Sequence, residues 1–259
     1  MAQTLGIIGS TGFVGGNLAA QIGHADGYNS SNIETIAGKE YDILFCAGAR
    51  AEMWRINQYP DIDRANNTRL MSNMSKAKAK HLVLLSTVGV YPSPIVGVDE
   101  DSAIDEAILP PYGVHHLELE RFCKETFNTT IIRLPGIFGT GIKKNVIFDL
   151  LHGNNIDQIH AESVYQFYYL KHLWADIQTA MAAKLSLVNF ATEPVSVAEV
   201  AHAAFGTVFD NRPTGKAPAL FDFRTKHALV FGGHAGYITD KAAILAQLSE
   251  FVKFEQAKA

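Results

Sequence analysis

The chain has 259 residues, of which 47% are hydrophobic and 19% are charged, and its formal net charge is -4. This composition fits a compact fold with a large core and excludes a disordered chain. The negative net charge argues against general attraction to nucleic acid or to anionic membranes, because both need a clustered positive field.

Short apolar segments alternate with helical patterns along the first half of the chain. Each apolar segment ends in small or turn residues, as buried parallel strands do. The predicted strands are LGII (5–8), DILFCAG (42–48), LVLLST (82–87) and TIIRLPG (130–136), with one more strand through Tyr28. The predicted helices are FVGGNLAAQI (13–22), NNTRLMSNMSKAKAK (66–80) and VHHLELERFCKETF (114–127). Right-handed crossovers between such elements give a doubly wound parallel sheet.

A basic run, KAKAKH (76–81), closes the second helical pattern. Cations complement the partial negative charge at the C-terminus of a helix. We therefore interpret the run as the last turn of that helix on a solvated face, and not as a binding patch.

The alternation loosens after about residue 145. VIFDLLHGN (146–154) and TEPVSVAEVAHAAFG (192–206) favour helices, and the second has a capping box formed by Ser196 and Glu199. The tail DKAAILAQLSEFVKFEQ (240–256) predicts a further helix, with Asp240 or Thr239 as its cap. We expect this part to form a small lobe over the C-terminal edge of the sheet.

A glycine-rich turn lies between the first strand and the first helix. Gly9, Gly12 and Gly15 have G-x-x-G-x-x-G spacing. Gly9 permits the tight turn, Gly12 lets the backbone approach a pyrophosphate, and Gly15 lets the helix pack on the strand. The alternative is a glycine-rich turn without a ligand. The pattern predicts a dinucleotide site at Gly9, Ser10, Thr11, Gly12, Phe13, Val14 and Gly15, within a Rossmann domain of residues 1–145 and beside a substrate lobe of residues 146–259.

The end of the predicted second strand suggests which dinucleotide binds. Asn29, Ser30, Ser31 and Asn32 are neutral there, and no carboxylate repels a 2'-phosphate. The expected cofactor is NAD or NADP, with NADP slightly favoured. Asp26 stays an alternative ligand of the adenosine ribose if the strand is placed differently.

The two cysteines, Cys46 and Cys123, lie far apart and lack C-x-x-C spacing, which argues against a disulfide framework or a thiolate metal site. His115 and His116 are adjacent on a predicted helix and point about 100° apart, so they do not suit one metal ion. No sequence window approaches the roughly 18 apolar residues of a membrane span. We expect a cytoplasmic protein without a metal site and without a nucleic-acid or membrane partner.

Four motifs occur in a characteristic order: the glycine turn, LLSTVGVYP (84–92), PPYGVHHLELER (110–121) and IIRLPGIFGTG (131–141). This order resembles the extended short-chain dehydrogenase/reductase family, and more narrowly its NAD(P)-dependent nucleotide-sugar epimerases, dehydratases and reductases. The resemblance covers residues 5 to about 200. It implies that Thr87 and Tyr112 belong to the catalytic set, and that His116 stands where the family has a lysine.

The same resemblance implies further site residues. Phe167, Tyr168 and Tyr169 lie in what looks like the strand of the substrate lobe, where His172 replaces the usual aspartate. The implied cofactor contacts beyond the turn and the residues after Tyr28 are Cys46, Ala47, Gly48, Asn66 (or Asn67), Ser86, Tyr112, His116, Leu134 and Pro135. The implied substrate contacts are Thr87, Val88, Gly136, Asn145 and Gln166. Relatives also pair through the helices predicted here at 66–80 and 114–127, which implies a homodimer.

The replacement of lysine bears on catalysis. A phenol with a pKa of about 10 needs help to lose its proton near neutrality, and a histidine with a pKa of about 6.5 supplies less positive charge than a lysine. Tyr112 is expected to act as the acid/base, Thr87 to hydrogen-bond the reacting oxygen, and His116 to orient the ribose. The predicted protein is an NAD(P)-dependent oxidoreductase, epimerase or dehydratase of a nucleotide-activated sugar. The alternative is an NAD(P)-binding sensor or scaffold with weak or no catalysis.

Overall fold

The computed structural model describes residues 3–258. The helices are α1 (Phe13–Ile22), α2 (Met53–Gln58), α3 (Pro60–Met74), α4 (Pro111–Thr126), α5 (Val146–His152), α6 (Leu173–Ala182), α7 (Val197–Phe205) and α8 (Lys241–Gln256). The strands are β1 (Leu5–Ile8), β2 (Asp26–Tyr28), β3 (Glu40–Cys46), β4 (Lys78–Thr87), β5 (Ile95–Val96), β6 (Thr129–Leu134), β7 (Gly136–Phe138), β8 (Val164–Tyr165), β9 (Phe167–Tyr169), β10 (Leu187–Asn189), β11 (Val195–Ser196) and β12 (Phe221–Asp222).

The central sheet has six strands in the order β10-β6-β4-β3-β1-β2. β1 pairs in parallel with β2 and with β3, and β4 pairs in parallel with β3 and with β6. The predicted doubly wound α/β sheet is therefore confirmed. Because the strands are parallel, the carboxyl ends of β1, β2, β3, β4 and β6 meet at one edge.

Helices cover both faces of this sheet. On one face, Leu70 and Met74 of α3 and Leu119 of α4 join a buried apolar cluster with the strands. On the other face, Phe45 meets the ring of Trp174 of α6 edge-on, with ring centroids 5.7 Å apart. The backbone amide of Trp174 donates to the side chain of Gln21 at the end of α1. Burial on both faces explains why the strand segments read as continuous apolar runs.

The predicted bounds are right for β1 and α1. The helix predicted at residues 66–80 is wrong in both of its ends. The helix α3 runs from Pro60 to Met74, and β4 already begins at Lys78. The basic run is thus a turn followed by a strand. Its lysines face acids of the neighbouring strand, since the Nζ atoms of Lys78 and Lys80 lie 2.7 Å from carboxylate oxygens of Glu40 and Asp42. These exposed ion pairs across the sheet replace the expected helix-end interaction.

The chain forms two compact units made of alternating segments. The first contains the residues up to Pro92, Ala103–Leu134 and Leu173–Val188, and it holds the central sheet. The second contains Ser93–Ser102, Pro135–His172 and the chain from Asn189 onward. The division into a Rossmann domain of residues 1–145 and a substrate lobe of residues 146–259 stays a prediction.

The second unit is built from two-stranded sheets and helices. β7 pairs with β9, β11 with β8, and β12 with β5. The predicted capping box is confirmed, because Ser196 accepts from the backbone of Glu199 and the Glu199 side chain accepts from Ser196. Asp240 caps α8 by accepting from the amide of Ala243. The stacked rings of Phe138 and Tyr169 add to the core of this unit.

Candidate active site

The glycine turn is tight, and it packs closely against the residues that follow β3 and against α1. Gly9 has a φ of +84°, and a Cβ there would lie 2.4 Å from the carbonyl oxygen of Ala47. A Cβ on Gly15 would lie 2.2 Å from the carbonyl oxygen of Gly9, so the first turn of α1 packs directly on the loop. The amides of Ser10 and Gly12 are used within the protein, by the carbonyl oxygens of Tyr28 and Gly9, whereas those of Thr11, Phe13 and Val14 belong to the turn or the helix start, where backbone N–H groups favour a pyrophosphate.

The end of β2 lies beside this turn. The amides of Gly9 and Ser10 donate to the carbonyl oxygen of Tyr28 over 2.8 and 3.1 Å. The neutral segment Asn29–Asn32 follows directly and folds on itself, since Asn29 accepts from the amide and hydroxyl of Ser31. Asp26 lies at the start of β2, where its carboxylate accepts from the hydroxyl of Tyr41 over 2.8 Å. The residues at the strand end are thus the neutral ones.

Thr87 and Tyr112 meet at the carboxyl end of β4. Thr87 is the last residue of β4, and its hydroxyl and the ring of Tyr112 both lie against Gly89. The same oxygen accepts from the amide of Gly89 over 3.0 Å, which fixes the side chain of Thr87. The amide of Tyr112 donates to the side chain of Asn57 over 3.0 Å at the start of α4. Gly89 makes room for the phenol, because a Cβ there would lie 2.7 Å from the ring.

His116 lies one turn along α4, with its ring against that of Tyr112. It is buried, with only 6% of its surface exposed. Burial lowers the pKa of His116 below its ordinary value, and the backbone of Arg50 acts in the opposite direction. The ring is therefore neutral at neutral pH.

Burial also controls the phenol. It raises the pKa of Tyr112 above the ordinary value, while the side chain of Thr87 acts in the opposite direction. The carboxylate of Asp63 adds to the increase. The phenol therefore stays protonated at neutral pH and is suited to donate a proton.

A buried acid and histidine pair, which sequence reasoning missed, lies beside these residues. His115 Nδ1 lies 2.7 Å from Asp63 Oδ2, and this pair joins α4 to α3. The other carboxylate oxygen of Asp63 is buried and has no hydrogen-bond partner within residues 3–258. Among the same residues, no group of three His, Cys, Asp or Glu side chains is placed to hold a metal ion.

A second missed feature is a buried network beneath Thr87. Ser86 donates to Glu120 over 2.6 Å, and Arg133 donates to both oxygens of that carboxylate over 2.9 and 2.7 Å. Arg133 also donates to the hydroxyl of Tyr91 over 2.8 Å. Two signals existed in the sequence: Glu120 is four residues after His116 on one helix face, and Arg133 is a single charge in an apolar strand.

Other predicted cofactor residues follow the ends of β3 and β6. Cys46 is buried at the end of β3, where burial raises the pKa of its thiol to about 11, so it is not a nucleophile near neutrality. Ala47 and Gly48 come next and pack against Gly9. Asn66 donates to its own helix at Ile62, whereas the neighbouring Asn67 is buried. Leu134 and Pro135 follow at the end of β6.

The predicted substrate residues fall in two groups. Thr87 and Val88 lie in the first unit, whereas Gly136, Asn145 and Gln166 lie in the second. Asn145 caps α5 by accepting from the amides of Ile147 and Phe148. The amide of Gln166 is occupied by backbone groups of Thr192 and Phe223, so it braces the second unit. Their contacts with a substrate stay predictions.

The second unit also contains a cavity of about 230 Å³ next to α5. Asp149, His160, Ser163, Tyr165 and Lys216 line it. Nδ1 of His160 accepts from the amide of Glu162, which leaves the proton on Nε2 and makes that nitrogen a donor. The cavity thus offers hydrogen-bond donors, acceptors and an aromatic ring.

The parallel sheet and the glycine turn define a dinucleotide-binding α/β fold of the Rossmann type. Residues 24–155 match the model of the NAD dependent epimerase/dehydratase family, and the chain belongs to that family. Among proteins with curated descriptions, none matches the sequence significantly.

Solved structures share the fold at low sequence identity. MoeE5 in complex with UDP-glucuronic acid and NAD has a TM-score of 0.76 and 17% identity, over 99% of this chain and 100% of that one. TunA, an NAD-dependent NDP-hexosamine 5,6-dehydratase involved in tunicamycin biosynthesis, has a TM-score of 0.73 and 16% identity, over 99% and 98%. The dTDP-4-dehydrorhamnose reductase from Yersinia enterocolitica has a TM-score of 0.73 and 14% identity, over 97% and 99%. No helix in the described chain combines the length and the apolar content needed to cross a bilayer.

Proposed function

We propose that the chain binds NAD(P), with NADP(H) slightly favoured, and moves hydride to or from a nucleotide-activated sugar. The observation that carries this proposal is that the Thr87 hydroxyl and the Tyr112 ring meet at Gly89, at the sheet edge that also holds the glycine turn. When bound, the nicotinamide supplies or accepts the hydride. Tyr112 gives or takes the proton at the reacting oxygen, and Thr87 hydrogen-bonds that oxygen.

The electrostatics favour the reductive direction. Burial keeps the phenol of Tyr112 protonated, so it can donate a proton to a developing alkoxide. His116 is neutral and lacks the fixed charge that would help remove the phenolic proton. Its second ring nitrogen can still accept a hydrogen bond from a ribose hydroxyl. We propose a keto-sugar as the reactant and a hydroxy-sugar as the product.

The cavity beside α5 suits the nucleotide part of such a substrate. Its volume of about 230 Å³ and its mixed lining fit a flat base that carries both donors and acceptors. The ammonium group of Lys216, which donates to the carbonyl of Gln158, brings a positive charge to this wall. Asn145, at the start of α5, is the proposed contact for the diphosphate.

The alternative function is a dinucleotide-binding sensor or scaffold without turnover. The observation that favours it is the neutral, buried His116 in the place of a lysine. Turnover separates the two functions, because both of them require cofactor binding.

The test is a calorimetric titration of the whole chain with NADPH and NADH, with and without UDP-, GDP- and dTDP-sugars. The same mixtures are then assayed for oxidation of NADPH in the presence of the corresponding keto-sugars. We expect cofactor binding that a nucleotide sugar strengthens, followed by turnover. Cofactor binding that is indifferent to every sugar, without turnover, would replace the enzyme by the sensor or scaffold.

A further inference from the structure

A single arginine holds the loop that follows β2. Arg69 of α3 donates from Nη2 to the carbonyl oxygen of Ser30 and from Nε to Oε1 of Glu34, each over 3.1 Å. Nη2 donates to the same carboxylate oxygen as well. The guanidinium is therefore fixed against the loop by two acceptors that lie 39 and 35 residues away in sequence.

This loop lies where the adenosine ribose of a dinucleotide is expected. The glycine turn donates two backbone hydrogen bonds to Tyr28, the last residue of β2. In Rossmann folds, an acid near the end of the second strand binds the 2'-hydroxyl of NAD, and an arginine nearby accommodates the 2'-phosphate of NADP. Here Asn29 and Ser30 follow the strand in place of an acid. The carboxylate of Asp26 is already bonded to Tyr41.

We propose that Arg69 recognises the 2'-phosphate of NADP(H), and that Glu34 holds its guanidinium in position. This inference rests on the proposed function and names the residue that selects the cofactor. Sequence reasoning favoured NADP only because an acid was missing, whereas the structure supplies a cation at the same place.

The geometry of Arg69 leaves donors for a ligand. Its five N–H groups form a planar fork, and only Nε and Nη2 are occupied. Nη1 has no hydrogen-bond partner among residues 3–258. Two N–H groups thus remain for phosphate oxygens, the ligand that guanidinium binds with matched geometry. The side chain is about half exposed, so a phosphate can reach it.

The charges around the loop are balanced in favour of an anion. The hydrogen bonds from Arg69 lower the pKa of Glu34, which is therefore ionised and neutralises part of the arginine. The charge of Lys76 acts on Glu34 in the same sense. Arg69 and Lys76 together exceed Glu34 by one positive charge. A phosphate monoester, with about -1.5 to -2 charges at pH 7, is attracted to this loop.

The experiment measures dissociation constants of the full chain for NADPH, NADH, 2',5'-ADP and 5'-ADP by calorimetry. The variants are Arg69→Met, Arg69→Lys and Glu34→Gln. The matched control is Arg64→Met, which removes another exposed arginine of α3 that pairs with Glu118. Thermal unfolding of each variant checks that the fold is kept.

We expect Arg69→Met to raise the dissociation constants for NADPH and 2',5'-ADP by roughly 10- to 100-fold, which corresponds to the loss of a charged hydrogen bond. The dissociation constants for NADH and 5'-ADP should change less than about twofold, because these ligands lack the 2'-phosphate. Arg69→Lys keeps the charge without the fork and should give a smaller loss. Glu34→Gln should strengthen NADPH binding. Arg64→Met should leave the affinities for NADPH and NADH unchanged.

Equal weakening of NADPH and NADH by Arg69→Met, or no weakening, overturns the role of Arg69. So does a wild-type chain that binds NADH as tightly as NADPH. Both results leave the proposed function standing, because cofactor still binds. Absence of all dinucleotide binding overturns the proposed function, and this inference with it.

Discussion

The imidazole of His116 lies against the phenol of Tyr112, with ring centroids 4.5 Å apart and planes tilted by 58°. A lysine would place a permanent charge in this environment, whereas the imidazole is neutral because burial lowers its pKa. The proposed acid therefore has an aromatic neighbour that positions it and does not ionise it.

Replacement of the phenol tests the acid/base role. Tyr112→Phe keeps the ring against His116 and removes only the hydroxyl, so cofactor affinity should stay within about twofold while turnover falls by roughly 10² to 10⁴. Stopped-flow oxidation of NADPH and calorimetry measure the two quantities separately. Tyr59→Phe is the control, because Tyr59 is an exposed tyrosine of the same unit. Unchanged turnover in Tyr112→Phe would remove Tyr112 from the mechanism.

The pH profile tests whether His116 acts as a charged group. Because burial lowers its pKa, the ring should be neutral from about pH 6.5 to 8, and reductive turnover should not fall as the pH rises through the ordinary histidine range. Turnover in the oxidative direction should rise with pH, because the pKa of Tyr112 is raised. A reductive rate that falls with a midpoint near pH 6.5, and loses this midpoint in His116→Gln, would show that catalysis needs the charged ring.

The free energy of unfolding should also depend on pH through His116. The pKa of His116 in the folded state lies below its unfolded value, so its contribution to stability is present above about pH 6.5 and is lost as the pH falls through that value. Urea unfolding at pH 7.5 and 5.5 should show a larger loss for the wild type than for His116→Gln, by at most about 1.4 kcal/mol per pH unit. His81, whose pKa is also lowered by burial, is present in both proteins and cancels. Equal losses would contradict the buried, neutral ring.

The sequence predicted the elements whose signals are local. β1 and α1 agree with the prediction to the residue, because a short apolar run, a glycine turn and a helical pattern follow one another without a gap. The prediction that the basic run ends a helix is wrong, because the run alternates between lysine and other residues with a period of two. Lysines 78 and 80 alternate with Ala79 and His81, which is the period of a strand. The acids of β3 that pair with these lysines lie 38 residues earlier.

The candidate site divides in the same way. The order of the four motifs carries a resemblance to a known family, and that resemblance was enough to name Thr87 and Tyr112 as candidates. The pair of Asp63 and His115 spans 52 residues between two helices, and no local pattern announces it. The burial of His116, which lowers the pKa of its ring, is likewise a property that only the folded chain reveals.

Two glycines of α1 give a matched test of the dinucleotide turn. A Cβ on Gly15 would lie 2.2 Å from the carbonyl oxygen of Gly9, whereas one on Gly16 would come no closer than 3.4 Å to Ser10. Gly15→Ala should displace the turn and lower the affinity for both NADPH and NADH by more than about tenfold. Gly16→Ala should leave binding unchanged and add up to about 1 kcal/mol of stability, because alanine favours helix. Similar affinities for the two variants would mean that the turn does not hold the cofactor.

The network beneath Thr87 separates stability from catalysis. The side chains of Glu120 and Arg133 are both nearly inaccessible to solvent. Removing only one charge by Glu120→Ala should cost about 3 to 5 kcal/mol, because a buried guanidinium loses its partner. Arg121→Met, which breaks an exposed pair with Glu106, should cost less than about 1 kcal/mol and is the control.

The double replacement Glu120→Leu with Arg133→Met should recover most of this stability, since apolar side chains of similar size can replace a buried ion pair. Turnover should not recover with it, because Ser86 then loses the carboxylate that anchors it next to Thr87. Chemical unfolding and single-turnover rates measured on the same samples distinguish the two effects. Full recovery of both stability and turnover would show that the network supports the fold and has no part in positioning Thr87.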